Sequence, residues 1–197
     1  MLRIEKLSNS SLMTSIYKPT RAEVLAAYNT RLPDVMAPNL KILFSGINPS
    51  LYSAAVGHHF ARPGNRFWKA IHLAGFTEQL LSPFEDRTLL DRGFGLTNLA
   101  ARATARADEL TNEDLAIGHQ VLAEKIEQYQ PKLLAVLGVS AYRTAFKQPK
   151  AQMGLQEKPL FDTTIWVLPN PSGLNAHYQL NDLARVYQEL YSFATQT

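Results

Sequence analysis

The sequence predicts an α/β fold: a three-layer αβα sandwich around a central, mainly parallel, four-stranded sheet. Three observations carry this. Short apolar runs alternate with stretches of helical period, which is the pattern of successive βαβ units. The run Leu133 to Leu137 (LLAVL) is apolar throughout, without the in/out alternation of a half-exposed strand, so both its faces are buried. The chain has 197 residues, 46% of them hydrophobic, enough for the core of one domain.

Residues 1–38 read as a partly helical N-terminal extension, and 39–197 as a single domain. Within the extension, Thr20 and Glu23 form a capping-box pair for a helix running to Arg31, which Pro33 stops. The first strand is Leu40 to Ser45, followed by a long loop from Ile47 to Gly64. Asn65 is placed to cap a helix over Phe67 to Leu73, closed by Gly75. Ser82-Pro83 opens a short helix that ends before Gly93, and Phe94 to Leu99 is a second, weaker strand. Ala100 to Leu110 lacks an apolar pattern and reads as an exposed loop.

Thr111 to Asp114 then starts a helix whose Leu115, Leu122, Ile126 and Tyr129 share one face. Leu133 to Gly138 is the third strand, and Ser140 reads as the cap of the helix after it. Pro159 to Phe161 resembles an edge strand, and Ile165 to Leu168 is the last core strand. A C-terminal helix from Gln179 buries Leu180, Leu183, Tyr187, Leu190 and Tyr191.

Composition excludes several functions. There is no cysteine, hence no disulfide, thiolate nucleophile or cysteine-held metal. The five histidines show no zinc-helix spacing, so no metal is expected and His58 and His59 read as loop or surface residues. No apolar run approaches the roughly 20 residues that span a bilayer, and the N terminus lacks a secretory pattern. A cytoplasmic protein without a membrane partner is the expectation. The net charge of +3 permits a polyanionic partner without requiring one.

A parallel sheet delivers the loops after its strands to one edge, where such folds bind ligands. The loops after Ser45, Leu99, Gly138 and Leu168 should therefore share a crevice. Two of them are alike: Gly46-Ile-Asn-Pro-Ser50 and Asn170-Pro-Ser-Gly-Leu174. The crevice offers Asn48, Ser50, Ser53, Phe60, Thr104, Asn170, Ser172 and Asn175, with no carboxylate. No phosphate loop, dinucleotide fingerprint or nucleophile elbow is present. A neutral amide cannot act as a general base, but it can orient a water and donate a hydrogen bond. That suits a reaction whose leaving group departs early, such as cleavage of a glycosidic bond to a nucleobase. Phe60 lies in a loop with no apolar stripe, which favours a stacking role. Arg62, Arg66, Arg102 and Arg106 read as surface charges or as contacts to phosphate, and Phe67 and Trp68 as core.

Together with Phe60-Ala-Arg-Pro-Gly-Asn-Arg-Phe-Trp68, Tyr129-Gln-Pro131 and Trp166-Val-Leu-Pro169, the two loops resemble the mismatch-specific uracil-DNA glycosylases. These enzymes belong to the uracil/thymine-DNA glycosylase superfamily, and the resemblance runs from about Leu40 to the C-terminal helix. It implies a uracil-DNA glycosylase-like fold. It also implies a monofunctional enzyme that flips uracil or a related damaged pyrimidine from mismatched double-stranded DNA and needs no cofactor. Asn48 would hold the water that attacks the sugar. Ile47, Ser53, Phe60 and Asn170 would bind the base, and Gly173, Leu174 and Asn175 would form the wedge facing the opposing base. A monomer is expected.

Three positions depart from the family pattern. Ser50 replaces the usual Gly, which at φ > 0 would cost about 1 kcal/mol. Asn175-Ala176 replaces Ser-Arg, and Ala101-Arg-Ala-Thr104 replaces Asp-Arg-Pro-Thr. Two other functions compete: a non-catalytic protein that binds damaged or mismatched DNA, and a hydrolase of free nucleosides.

Overall fold

In the computed structural model, residues 17–196 are described. The helices are α1 (Arg21–Ala26), α2 (Leu51–Val56), α3 (Phe67–Leu73), α4 (Asn112–Tyr129), α5 (Val139–Ala145) and α6 (Leu180–Gln196). The strands are β1 (Ile42–Gly46), β2 (Phe94–Asn98), β3 (Leu133–Leu137), β4 (Gly154–Leu155) and β5 (Thr164–Leu168). Two 3₁₀ segments, Pro83–Arg92 and Ala107–Glu109, flank β2. The sheet order is β2-β1-β3-β5-β4, parallel except for β4. The expected α/β fold is therefore present, with five strands instead of four.

The fifth strand is not at Pro159 to Phe161. There the chain reverses through Phe161 (φ 53°), and Leu160 and Thr163 make an isolated bridge. Gly154–Leu155 runs antiparallel along β5 instead.

Both faces of the sheet are covered, as the unbroken apolar strands require. Ile42 and Phe44 join Phe67, Trp68, Leu183, Tyr187 and Leu190 on one side. Leu43 joins Leu122, Ile126, Leu134 and Tyr142 on the other. Phe67 and Trp68 are core residues, as expected.

Local chemistry sets the element ends. Thr20, Ser82 and Thr111 each cap a helix start through a reciprocal capping box. Asn65 accepts the Phe67 amide at 2.9 Å, although Arg66 occupies the cap position itself. Ser140 is no cap: Gly138 (φ 144°) occupies that position, a backbone conformation open to glycine. The long loop after β1 contains a helix, α2, which the sequence reading did not find.

α1 stops at Ala26 because Asn29 (φ 60°) and Thr30 turn away to pair with the backbone of Ala103. Val35 then exchanges two backbone hydrogen bonds with Leu96, so this segment lies along the free edge of β2. An Asp34–Lys125 ion pair at 2.7 Å, joined by Thr97, ties it to α4. Ala100 to Leu110 is not a simple exposed loop. Ala100, Ala103 and Thr104 are buried between this segment and the first Asn-Pro loop.

Candidate active site

The loop after β1 is held by its neighbour, residues 99–104. Leu99 and Ala100 donate backbone N–H groups to the carbonyls of Gly46 and Ile47, both at 2.8 Å, and Thr104 donates to Pro49 at 3.2 Å. Ser50 has φ −69° and accepts the Ser53 amide at 3.1 Å as the N-cap of α2. The cost foreseen for a side chain at φ > 0 therefore does not arise. The hydroxyl starts a helix instead.

Asn48 is oriented by its nitrogen. Nδ2 donates to the Arg102 carbonyl at 3.0 Å and to the Thr104 hydroxyl at 2.7 Å. The Thr104 hydroxyl donates its own hydrogen to the Arg106 carbonyl, so it can only accept from Asn48. Both contacts demand an NH₂ at that position, which fixes which end of the amide is which. The Asn48 carbonyl oxygen is left without a hydrogen-bond partner among the described residues.

The pocket beside it is packed from behind. Phe60 stacks on Phe67 with ring centroids 4.1 Å apart. A Cβ on Gly46 would fall 2.5 Å from Asn98 Oδ1 and 3.3 Å from the Phe60 ring, so only glycine lets both line the pocket. Ser53 is buried, and its hydroxyl accepts the Ala61 amide at 3.0 Å, fixing the chain next to Phe60. His59 is buried as well, contrary to the expectation of a surface histidine. Its Nε2–H donates to the Pro33 carbonyl at 3.0 Å, and burial pushes its pKa down from the ordinary histidine range. His58 instead reaches Asp86 at 3.1 Å.

The second Asn-Pro loop is oriented the opposite way. Asn170 Oδ1 accepts the Ser172 amide at 3.0 Å, leaving its NH₂ without a hydrogen-bond partner among the described residues. Arg66 is an internal clamp for this loop, not a surface charge. Its guanidinium donates to the carbonyls of Pro171, Ser172, Asn175 and Tyr178. The Asn175 side chain braces the same loop, donating to the Asn170 carbonyl at 2.9 Å and accepting the His177 amide at 3.1 Å. A Cβ on Gly173 would lie 2.7 Å from the Gly64 carbonyl oxygen, so the two loops touch through glycine. Leu174 projects from the tip, 64% exposed.

One pocket thus gathers Ile47, Asn48, Ser53, Phe60, Asn170 and Leu174. Gly173 and Asn175 lie outside it and shape the loop that carries Leu174. The Gly138 loop is not a wall of the pocket, because a Cβ there would meet the Ile47 side chain at 3.0 Å, directly behind the first loop. Sequence reading missed Leu32, His59 and Asn98. Asn98 had a usable signal: it ends a parallel strand, in register with Gly46, at the edge where ligands bind. Among the described residues, no carboxylate or lysine lines the pocket, and its cations are Arg62 and Arg106. Arg106 is paired with Asp108 at 2.7 Å. No described helix is long and apolar enough to cross a membrane.

Comparison with known proteins bears on the fold and the family. The solution structure of a candidate uracil DNA glycosylase from Methanosarcina acetivorans superposes with a TM-score of 0.55. The match covers 83% of this chain and 98% of that one at 18% identity, a likeness of fold. The family model of the uracil DNA glycosylase superfamily matches residues 33–191. Its span takes in both Asn-Pro loops and every strand of the sheet, and the chain belongs to the uracil DNA glycosylase superfamily.

Proposed function

We propose that the protein is a monofunctional DNA glycosylase that hydrolyses the bond between uracil, or a related damaged pyrimidine, and deoxyribose in mispaired duplex DNA. The observation that carries this reading is the opposed setting of two amides in one carboxylate-free pocket. Asn48 has its NH₂ engaged and its carbonyl free, and Asn170 has its carbonyl engaged and its NH₂ free. A free carbonyl can accept a hydrogen bond from water and aim the water's lone pair at the sugar. A free NH₂ can donate to the base as negative charge builds on it.

No carboxylate or lysine lines the pocket among the described residues, and its one imidazole, His59, is buried with Nε2 held by the Pro33 carbonyl, so the base must depart ahead of the attack. Positive charge then gathers on the sugar, and water adds to it from the position Asn48 holds. The C–N bond breaks first, its electron pair leaving with the base, and the C–O bond then forms as the water's proton passes to solvent. Phe60 offers a ring at the pocket wall, and Asn98 an amide able to pair with a base edge. Leu174 is the apolar tip that would fill the stack left by an extruded nucleotide. With no lysine at the pocket, no Schiff-base step is expected. The enzyme acts on its DNA as a monomer in this reading.

The test is a panel of labelled duplexes with uracil or thymine opposite guanine or adenine, together with the single strand and free deoxyuridine. Release is read as alkali-labile abasic sites, and deoxyuridine cleavage by chromatography. Turnover of uracil duplexes supports the proposal. Tight binding without release of any base would make the protein a damage sensor, and cleavage of free deoxyuridine alone a nucleoside hydrolase.

A further inference from the structure

Asn48 owes its orientation to two atoms of a neighbouring loop, the Arg102 carbonyl and the Thr104 hydroxyl. What holds that loop lies outside the pocket. The Arg102 guanidinium grips Asp114 with two bonds, Nε to Oδ1 at 2.9 Å and Nη2 to Oδ2 at 2.7 Å. Nη2 also donates to the Glu109 carbonyl at 2.9 Å, bridging to the chain just before α4. Asp114 is itself fixed, because its Oδ2 accepts the Thr111 amide at 2.8 Å in the capping box of α4. On the other side, Asn29 and Thr30 pair with the Ala103 backbone at 3.0 and 2.9 Å.

We infer that Arg102 and Asp114 form a positioning pair that sets the direction of the catalytic amide. Resting on the function proposed above, this gives the pair a task that neither residue performs by touching DNA. A two-bond grip on a planar guanidinium fixes rotation as well as distance. The Arg102 side chain leaves the same residue whose carbonyl receives Asn48 Nδ2, so a turn of that peptide moves the acceptor directly. A lysine could keep the charge but not the second bond. Both partners are three-quarters covered, at 27% and 23% exposure, so solvent weakens the pair only in part.

The experiment compares Arg102→Ala, Arg102→Lys and Asp114→Asn with wild type. It measures single-turnover uracil release and equilibrium binding to a duplex carrying an abasic-site analogue. The Asn variant keeps an acceptor for the Thr111 amide, so it separates the ion pair from the helix cap. The expected result is a release rate lower by about ten- to a hundredfold in Arg102→Ala and Asp114→Asn. Arg102→Lys should lie between them and wild type, and DNA affinity should stay within about twofold in all three, since positioning acts on kcat and leaves binding alone. Should Arg102→Ala fail to fold, Asp114→Asn carries the same comparison. Unchanged release in Asp114→Asn would overturn the inference, as would affinity falling in parallel with rate. The proposed function fails separately, by absence of release in the wild type.

Discussion

Asn48 and Thr104 are joined by a 2.7 Å hydrogen bond whose direction is settled by a third group. Because the threonine hydroxyl gives its hydrogen to the Arg106 carbonyl, Asn48 must present its nitrogen to threonine and its oxygen to the pocket. Removing the hydroxyl while keeping the shape should free the amide to rotate. Thr104→Val is expected to slow uracil release about tenfold, with Thr104→Ser near wild type. Equal rates in all three proteins would show that Thr104 does not direct the amide.

The two asparagines should fail differently. Asn48→Ala removes the water's acceptor and is expected to lower single-turnover release by a hundredfold or more, with DNA binding nearly intact. Asn170→Ala removes a donor to the leaving base, a loss of about a hundredfold that grows for poorer leaving bases. Comparing uracil with 5-fluorouracil, a better leaving group, separates them. If Asn170→Ala costs the same factor on both bases, its donor role is wrong.

Leu174 stands 64% exposed at the tip of the second loop. Leu174→Ala should reduce release from duplex by about tenfold while leaving single-stranded substrate within about twofold, because only the duplex presents a stack to be filled. Parallel loss on both substrates would count against a wedge.

Gly46 tests the packing behind the pocket. A methyl group there would meet Asn98 Oδ1 and the Phe60 ring, both of which line the site. Gly46→Ala is expected to cost about 1–3 kcal/mol of stability, as overpacking does, and to suppress release well beyond that. Thermal melting and single-turnover kinetics on the same preparation check it. A variant that melts early yet excises normally would contradict it.

His59 makes stability depend on pH in a known direction. Burial lowers its folded-state pKa below the unfolded value of about 6.5. Below that pH the unfolded chain binds the proton more readily, so stability is full above pH 6.5 and drains as pH falls through it. Melting temperature should drop between pH 7 and pH 5, and less so in His59→Asn. Equal drops in both proteins would place the sensitivity elsewhere.

Much of the fold was legible because it rests on local pattern. The apolar run at Leu133 to Leu137, and the capping pairs at Thr20 and Thr111, carry their meaning within a few residues. The site was legible where two like loops follow parallel strands. What escaped depends on partners far along the chain. Arg66 looks like any surface arginine until the loop 105 to 112 residues later folds onto its guanidinium. Ser50 looked like a disturbance of a glycine position, because nothing nearby announced a six-residue helix for it to cap. The strand at Gly154–Leu155 is too short to leave a period, so the more apolar Pro159 to Phe161 stood in for it.

The contact between Gly64 and Gly173 bears on how the molecule meets its substrate. Backbone meets backbone there, with no room for even a methyl group, and Arg66 fastens the same junction through four carbonyls. Under the proposed function, the tip that would enter the helix and the chain leading to the receiving cup are joined at this seam by direct backbone packing. On that reading, the two loops would meet a nucleotide as one unit. The bending that extrusion demands would then fall on the double helix, and a duplex already softened by a mispair would yield to it most readily.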